Sequence, residues 1–231
     1  MKPRDDNSMR NEADCRGQAL RSGAAGRPRK GEAALRRSHL IDVARALFLD
    51  KGYYDVSLAL IAQEARVAVR TIYLGFGSKA GLFSAVLQQG RQRFMADEPV
   101  LDPAGSIREV LGNFGLRYLH YITDPAMARL RRMVLSEAGT SPDLKQSWWE
   151  AGPAPAHALL TRYFLDVRIQ AQLSPDVPFD LLPAHFMACI AGEHAWPYPM
   201  DANAAIGRPL QQLLDARMAL FLRSVLLKPS P

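Results

Sequence analysis

Apolar residues recur along this chain with a helical period almost everywhere, and almost no segment alternates with the period of two that a half-buried strand requires. Leu40, Ile41, Ala44, Leu47 and Phe48 follow the spacing of one buried helix face, in a pattern that starts near Gly31 and stops at Gly52. Ser57 has the place and the chemistry of an N-cap for a second helix, whose inner face is Leu58, Ile61, Ala62 and Ala65. A turn at Arg66-Val67 leads to a short third helix, Ala68 to Leu74, which Gly75, Gly77 and Ser78 break. Ser78 can cap a fourth, from Gly81 to Phe94, carrying Leu82, Phe83, Val86 and Leu87.

Past Glu98-Pro99 and Asp102-Pro103 the chain reads as helices only. Ile107, Val110, Leu111, Phe114, Tyr118, Tyr121 and Ile122 share one face, closed by Asp124-Pro125. Met127, Leu130, Met133 and Val134 make a shorter face, closed by Gly139. A helix begun at Pro142 is interrupted by Gly152-Pro153-Ala154-Pro155 and resumes through Leu159, Leu160, Tyr163, Phe164 and Val167. Phe179 to Ile190 follows, then a stop at Trp196-Pro197-Tyr198-Pro199, then a last helix from Leu210 to Val225. The pattern predicts an all-α protein of about nine helices without internal repeats. It divides into a polar, disordered tail over 1–30, a helix-turn-helix domain over 31–80 and a helical domain over 81–231.

Charge supports that division. Residues 1–90 hold 15 Lys+Arg against 9 Asp+Glu, and the remaining residues hold 14 of each, so the whole net charge of +6 lies in the front half. A basic module joined to a neutral one is what a DNA reader with a separate sensing or assembly module requires, although a solvated basic face would look the same by charge alone. The two cysteines, Cys15 in the tail and Cys189 in an apolar segment, do not suggest a structural disulfide. The opening MKPRDDNSMRNEADCRG has no apolar core, and no run approaches the roughly 18 apolar residues of a membrane span. A soluble, cytoplasmic protein is expected.

In a helix-turn-helix the second short helix enters the major groove while its neighbours pack behind it and touch phosphate. Here that helix starts at Ala68, and Val69, Arg70 and Thr71 would face base edges. Arg70 can offer a bidentate fork to guanine, and Thr71 can meet a thymine methyl or a phosphate. Ile72 would pack inward, and Tyr73, Lys79 and Ser57 would bond phosphates. Taken singly, Arg70 could be an ordinary surface arginine and Tyr73 a core aromatic; as a spaced set between two turns they read DNA. Arg27 and Arg29, in Gly26-Arg27-Pro28-Arg29-Lys30, form a basic arm that can lie in a minor groove or merely solubilise the tail.

The stretch from about residue 36 to 87 resembles the N-terminal domain of TetR-family transcriptional regulators. The resemblance rests on Leu47-Phe48, Gly52-Tyr53, Ser57, Ile61-Ala62, Ala65, Val67, Thr71-Ile72-Tyr73, Phe76, Ser78-Lys79 and Leu82-Phe83. Against the family pattern, Arg66 occupies a turn position usually held by glycine, which implies a non-glycine residue near positive φ. Ala68 replaces a serine cap, and Gly75 replaces a histidine or tyrosine that contacts phosphate. Met133 to Ala138 and Trp149 to Pro153 resemble the C-terminal domain of the AefR-like subgroup.

The resemblance implies a homodimer that binds a palindromic operator as a repressor and is released by a small-molecule effector held in the C-terminal helices. Two half-sites about 34–36 Å apart independently call for a two-fold partner. The leucine-rich face of the last helix, Leu210, Leu213, Leu214, Met218 and Phe221, is expected to supply the dimer interface beyond ordinary intrachain packing. Phe114, Tyr118, Met133, Trp148, Tyr163, Phe164 and Phe186 are the candidate lining of a pocket for an apolar or aromatic effector, though each alone would suit a plain core. His185, Cys189 and Glu193 share a helix face, but with no fourth ligand in view no metal is assigned, and no cofactor is implied. Two other classes compete: a DNA-binding architectural protein without a ligand, and a helical enzyme. No nucleophile-base set, phosphate loop or metal motif speaks for the enzyme.

Overall fold

In a computed structural model, which describes residues 30–95, 101–137, 142–195 and 209–227, the first helix, α1 (Lys30–Lys51), closes with Gly52 N–H donating to the Phe48 carbonyl at 3.1 Å. Two short helices follow, α2 (Leu58–Glu64) and α3 (Val69–Phe76), and then the long α4 (Lys79–Met95). Leu40, Ile41, Ala44 and Phe48 of α1, Ile61 and Ala62 of α2, Ile72 of α3, and Leu82 and Phe83 of α4 bury one shared core. Phe48, Tyr53 and Phe83 pack there as three mutually contacting rings, with centroids 5.5–5.6 Å apart. The arm holding Arg27 and Arg29, Cys15, Gly139 and the Trp196-Pro197-Tyr198-Pro199 stop lie outside the described residues.

Seven more α-helices build the second half: α5 (Ile107–Thr123), α6 (Pro125–Glu137), α7 (Pro142–Ala151), α8 (Pro153–Phe164), α9 (Val167–Gln170), α10 (Leu182–Ala191) and α11 (Leu210–Val225). A 3-10 turn, Gly192–Ala195, extends α10. The described residues therefore hold eleven α-helices and no strand, all-α as expected but two helices more than the pattern predicted. The extra elements are α8, which starts at Pro153 rather than being interrupted there, and the one-turn α9. Proline suits the first turn of a helix, where its missing N–H has no intrahelical acceptor to lose.

Helix α11 packs on α5 and α10. The approach to α5 depends on Gly115: a Cβ there would come within 2.8 Å of Leu214 Cδ1. Leu214, Met218 and Phe221, expected at a dimer interface, are thereby buried inside their own chain, and Leu210 is half-buried. The leucine face is broad because it covers α5 and α10 of the same molecule, not because it is reserved for a partner. The outward residues of α10 and α11 include Ala184, His185, Ala188, Ala216 and Leu220. Arg217 is the one buried cation on α11; it donates to the Ile190 and Ala191 carbonyls, which end α10, and to the Glu193 carboxylate. Past α11, Leu227 N–H donates to the Gln172 carbonyl and Ser174 N–H to the Val225 carbonyl, which ties the end of α11 to the loop after α9.

Candidate nucleic-acid interface

Each end of the α2–α3 unit is fixed by a local device. Ser57 Oγ accepts from Leu60 N–H at 3.1 Å and caps α2, leaving its own hydroxyl proton free to donate outward. The turn between the helices passes through Arg66 at φ 54, the left-handed region that the departure from glycine implies. Val67 N–H donates back to the Ala62 carbonyl at 2.9 Å and closes the turn. Holding an arginine there costs about 1 kcal/mol, so Arg66→Gly is expected to raise thermal stability slightly and leave DNA binding in place, which paired melting and duplex titrations would check. Ala68 begins α3 with no side-chain cap.

Helix α3 extends two residues beyond the expected end, through Gly75 to Phe76, and stops at Gly77 with φ 73. Arg37, from α1, accounts for the extension. Its Nη1 donates to the Gly75 carbonyl at 3.2 Å, and its guanidinium lies 4.2 Å from the centre of the Phe76 ring. Nothing in the sequence spacing marks Arg37 for this role, since the contact spans 38 residues. Ile72 alone on α3 is fully buried. Ala68, Val69, Arg70, Thr71 and Tyr73 all lie exposed, as does Leu74, which the sequence reading did not single out. Three apolar or small side chains beside Arg70 suit contact with thymine methyl groups.

Lys79 opens α4 beside this face. Its Nζ donates to the Tyr54 carbonyl at 3.3 Å and lies 4.3 Å from the centre of the Tyr53 ring. Burial there draws its pKa below the usual lysine value, while the Glu137 and Asp55 carboxylates oppose the shift. Burial, with the Asp143 charge adding to it, pushes the Tyr53 hydroxyl up to about 12. Lys79 is thus a cation held in place at a helix N-terminus, where backbone N–H groups also favour phosphate.

The second half places its expected residues in two groups. Phe114, Phe164 and Phe186 are fully buried and pack with Phe221; Phe186 sits 5.1 Å from Phe221, 6.1 Å from Phe114 and 6.5 Å from Phe164. Tyr163 joins them against Phe164 at 5.6 Å. Tyr118, stacked on Phe114, and Met133 and Trp148 are only half-buried at the edge of this core. His185 lies against the Phe221 ring, Cys189 Sγ points to the Arg217 carbonyl, and Glu193 pairs with Arg217, so the three residues do not converge on a common point.

Two family profiles match this chain: "Bacterial regulatory proteins, tetR family" over residues 40–86, and "AefR-like transcriptional repressor, C-terminal domain" over residues 109–224. The chain belongs to the TetR family. Among curated relatives, the HTH-type transcriptional regulator AcrR of Shigella flexneri is 30% identical over 116 residues, covering 47% of this chain and 50% of the relative. The HTH-type transcriptional repressor BdcR of Escherichia coli (strain K12) is 39% identical over 64 residues, covering 28% of this chain and 30% of the relative. The chain thus spans half or less of the length of these curated relatives. Among solved structures, the flavonoid-responsive regulator FrrA superposes with a TM-score of 0.67 at 24% identity, covering 85% of this chain and 100% of that one. NalD, described as the secondary repressor of the MexAB-OprM multidrug efflux pump in Pseudomonas aeruginosa, gives a TM-score of 0.62 at 19% identity, covering 84% and 97%. At these identities the superpositions establish a shared TetR-family fold.

Proposed function

We propose that this TetR-family chain is a transcriptional repressor in which two copies bind a palindromic operator, and which a small molecule releases from DNA. The observation that carries the reading is α3 itself: one side chain, Ile72, is turned inward, and Val69, Arg70, Thr71 and Tyr73 are presented together beside Lys79 and the Ser57 cap. Arg27 and Arg29 would add a minor-groove arm. The two-fold partner would meet the outward face of α10 and α11, at Ala184, His185, Ala188, Ala216 and Leu220, in place of the buried leucine face. The effector would enter among α4 to α8, where Tyr118, Met133 and Trp148 border the core. No helix among the described residues is long and apolar enough to cross a membrane; a repressor on its operator would act in the cytoplasm.

Affinity for selected and scrambled duplexes tests the reading. Arg70→Ala is expected to cost about 1–3 kcal/mol on the selected duplex and to relax the choice of base at one or two positions. Lys79→Ala and Tyr73→Phe should weaken all duplexes alike. Equal loss of specificity in Arg70→Ala and Lys79→Ala would show that Arg70 does not reach a base edge.

A further inference from the structure

Three buried donor atoms without acceptors lie on α4, α5 and α6, and the charges of the two arginines among them both act on the third, a tyrosine. Tyr121, on α5, is only 7% exposed, and its Oη has no hydrogen-bond partner. Arg91, on α4, leaves its buried Nε unpaired. Phe94, one turn further along the same face of α4, lies 6.2 Å ring to ring from Tyr121, so Arg91 shares the face of α4 that packs on Tyr121. Arg131, on α6, gives its Nη groups to the Ile122 and His194 carbonyls and keeps an unpaired, buried Nε. Opposite lies Gly152, where a Cβ would stand 3.5 Å from Tyr121 Oη. Gly152 is the N-cap of α8 and offers no side chain to cap it, so the positive end of a twelve-residue helix lies beside Tyr121.

Buried donors are rarely left unpaired, because each forfeits its bonds to water. Arg91 Nε and Arg131 Nε can only donate, and the Tyr121 hydroxyl can donate as well. Burial pushes the Tyr121 hydroxyl up to about 12 against the pull of the Arg91 and Arg131 charges, so it keeps its proton at neutral pH. The Asp124 carboxylate nearby already accepts from Met127 N–H at the start of α6. None of the three unpaired atoms is bonded to the Asp124 carboxylate or to any other acid, so an anion brought in from outside would satisfy them.

We propose that this corner receives the anionic head of the effector, and that the effector is a small organic acid, a carboxylate or ionised phenol on an apolar or aromatic body. The inference rests on the ligand-released reading above and narrows its effector from an apolar molecule to an amphiphilic anion. Arg91 belongs to α4, which leads directly from the DNA-reading head. An anion bound by Arg91, Tyr121 and Arg131 therefore draws α4, α5 and α6 toward one point and links occupancy to the pose of the head.

The test is calorimetric titration of the full-length protein with matched pairs: benzoate and benzamide, naphthoate and naphthamide, octanoate and octanamide. At least one carboxylate is expected to bind about tenfold or more tightly than its amide, as charge-assisted hydrogen bonds would give. Arg91→Met and Tyr121→Phe should each remove that preference. Tyr121→Phe should melt no lower than the parent, since its hydroxyl has no partner to lose, so a lost preference cannot be put down to misfolding. The proposal is overturned if no carboxylate outbinds its amide up to about 10 mM, or if both variants keep the preference. Operator affinity of the unliganded parent, measured alongside, tests the regulator reading separately.

Discussion

Phe186→Ala is expected to lose about 3–5 kcal/mol of folding stability and to lower the melting temperature by roughly 10 °C in a chain of this size. Phe186 is fully buried and contacts the rings of Phe114, Phe164 and Phe221, which come from α5, α8 and α11. Truncation removes those contacts from three helices at once and leaves a cavity that none of them can fill alone. The result also separates two roles for the aromatic residues. If Phe186 lined an effector pocket open to water, its removal would cost about 1 kcal/mol or less, and Tyr118→Ala, at the half-buried edge, would match it. Chemical denaturation of both variants, with unchanged slopes, decides between core and lining.

Leu220→Glu should leave the monomer folded and abolish the dimer. Leu220 is 65% exposed on α11, so a carboxylate there meets only water in the single chain. In the proposed dimer it would face a second copy across an apolar surface, where an unpaired charge is not tolerated. Losing the partner forfeits the second half-site, and operator affinity should fall by about 10²–10⁴. Leu214→Glu provides the contrast. Leu214 is 1% exposed and touches Gly115, so that variant should fail to fold rather than dissociate. Light scattering and circular dichroism of the two variants would expose the wrong surface at once: a monodisperse Leu220→Glu dimer places the interface elsewhere.

The reading head was largely legible in the sequence because its signals are local. Caps at Ser57 and Ser78, the inward Ile72 and the forced turn at Arg66 each depend on residues a few positions apart, and all four hold in the structure. The end of α3 was not legible, because Arg37 reaches it from another helix. Pro153 and Pro155 read as a break, yet they begin α8, a distinction that turns on whether the proline N–H position lies within the first helical turn. The leucine face of α11 misled for a different reason. Periodicity marks which side of a helix is buried but not whose surface buries it, and a close packing against Gly115 consumed the face within one chain. The unpaired donors at Arg91, Tyr121 and Arg131 come from three helices, so no single stretch of sequence announces them.

Helix α6 meets α1 and the turn that follows it: Arg129 Nη2 donates to the Leu49 carbonyl at 2.6 Å, and Glu137 Oε1 accepts from Tyr53 N–H at 3.4 Å. Both points lie at the C-terminal end of α1, whereas α3 is fastened near its front through Arg37. From Arg37 to Leu49 is about 18 Å along the helix axis, at ~1.5 Å per residue. Helix α1 is therefore like an oar in its lock, with α3 tied near one end and α6 near the other. A rotation of about 5° about the α6 contact would carry the Arg37 end of α1, and α3 with it, through roughly 1.5 Å, half the length of a hydrogen bond.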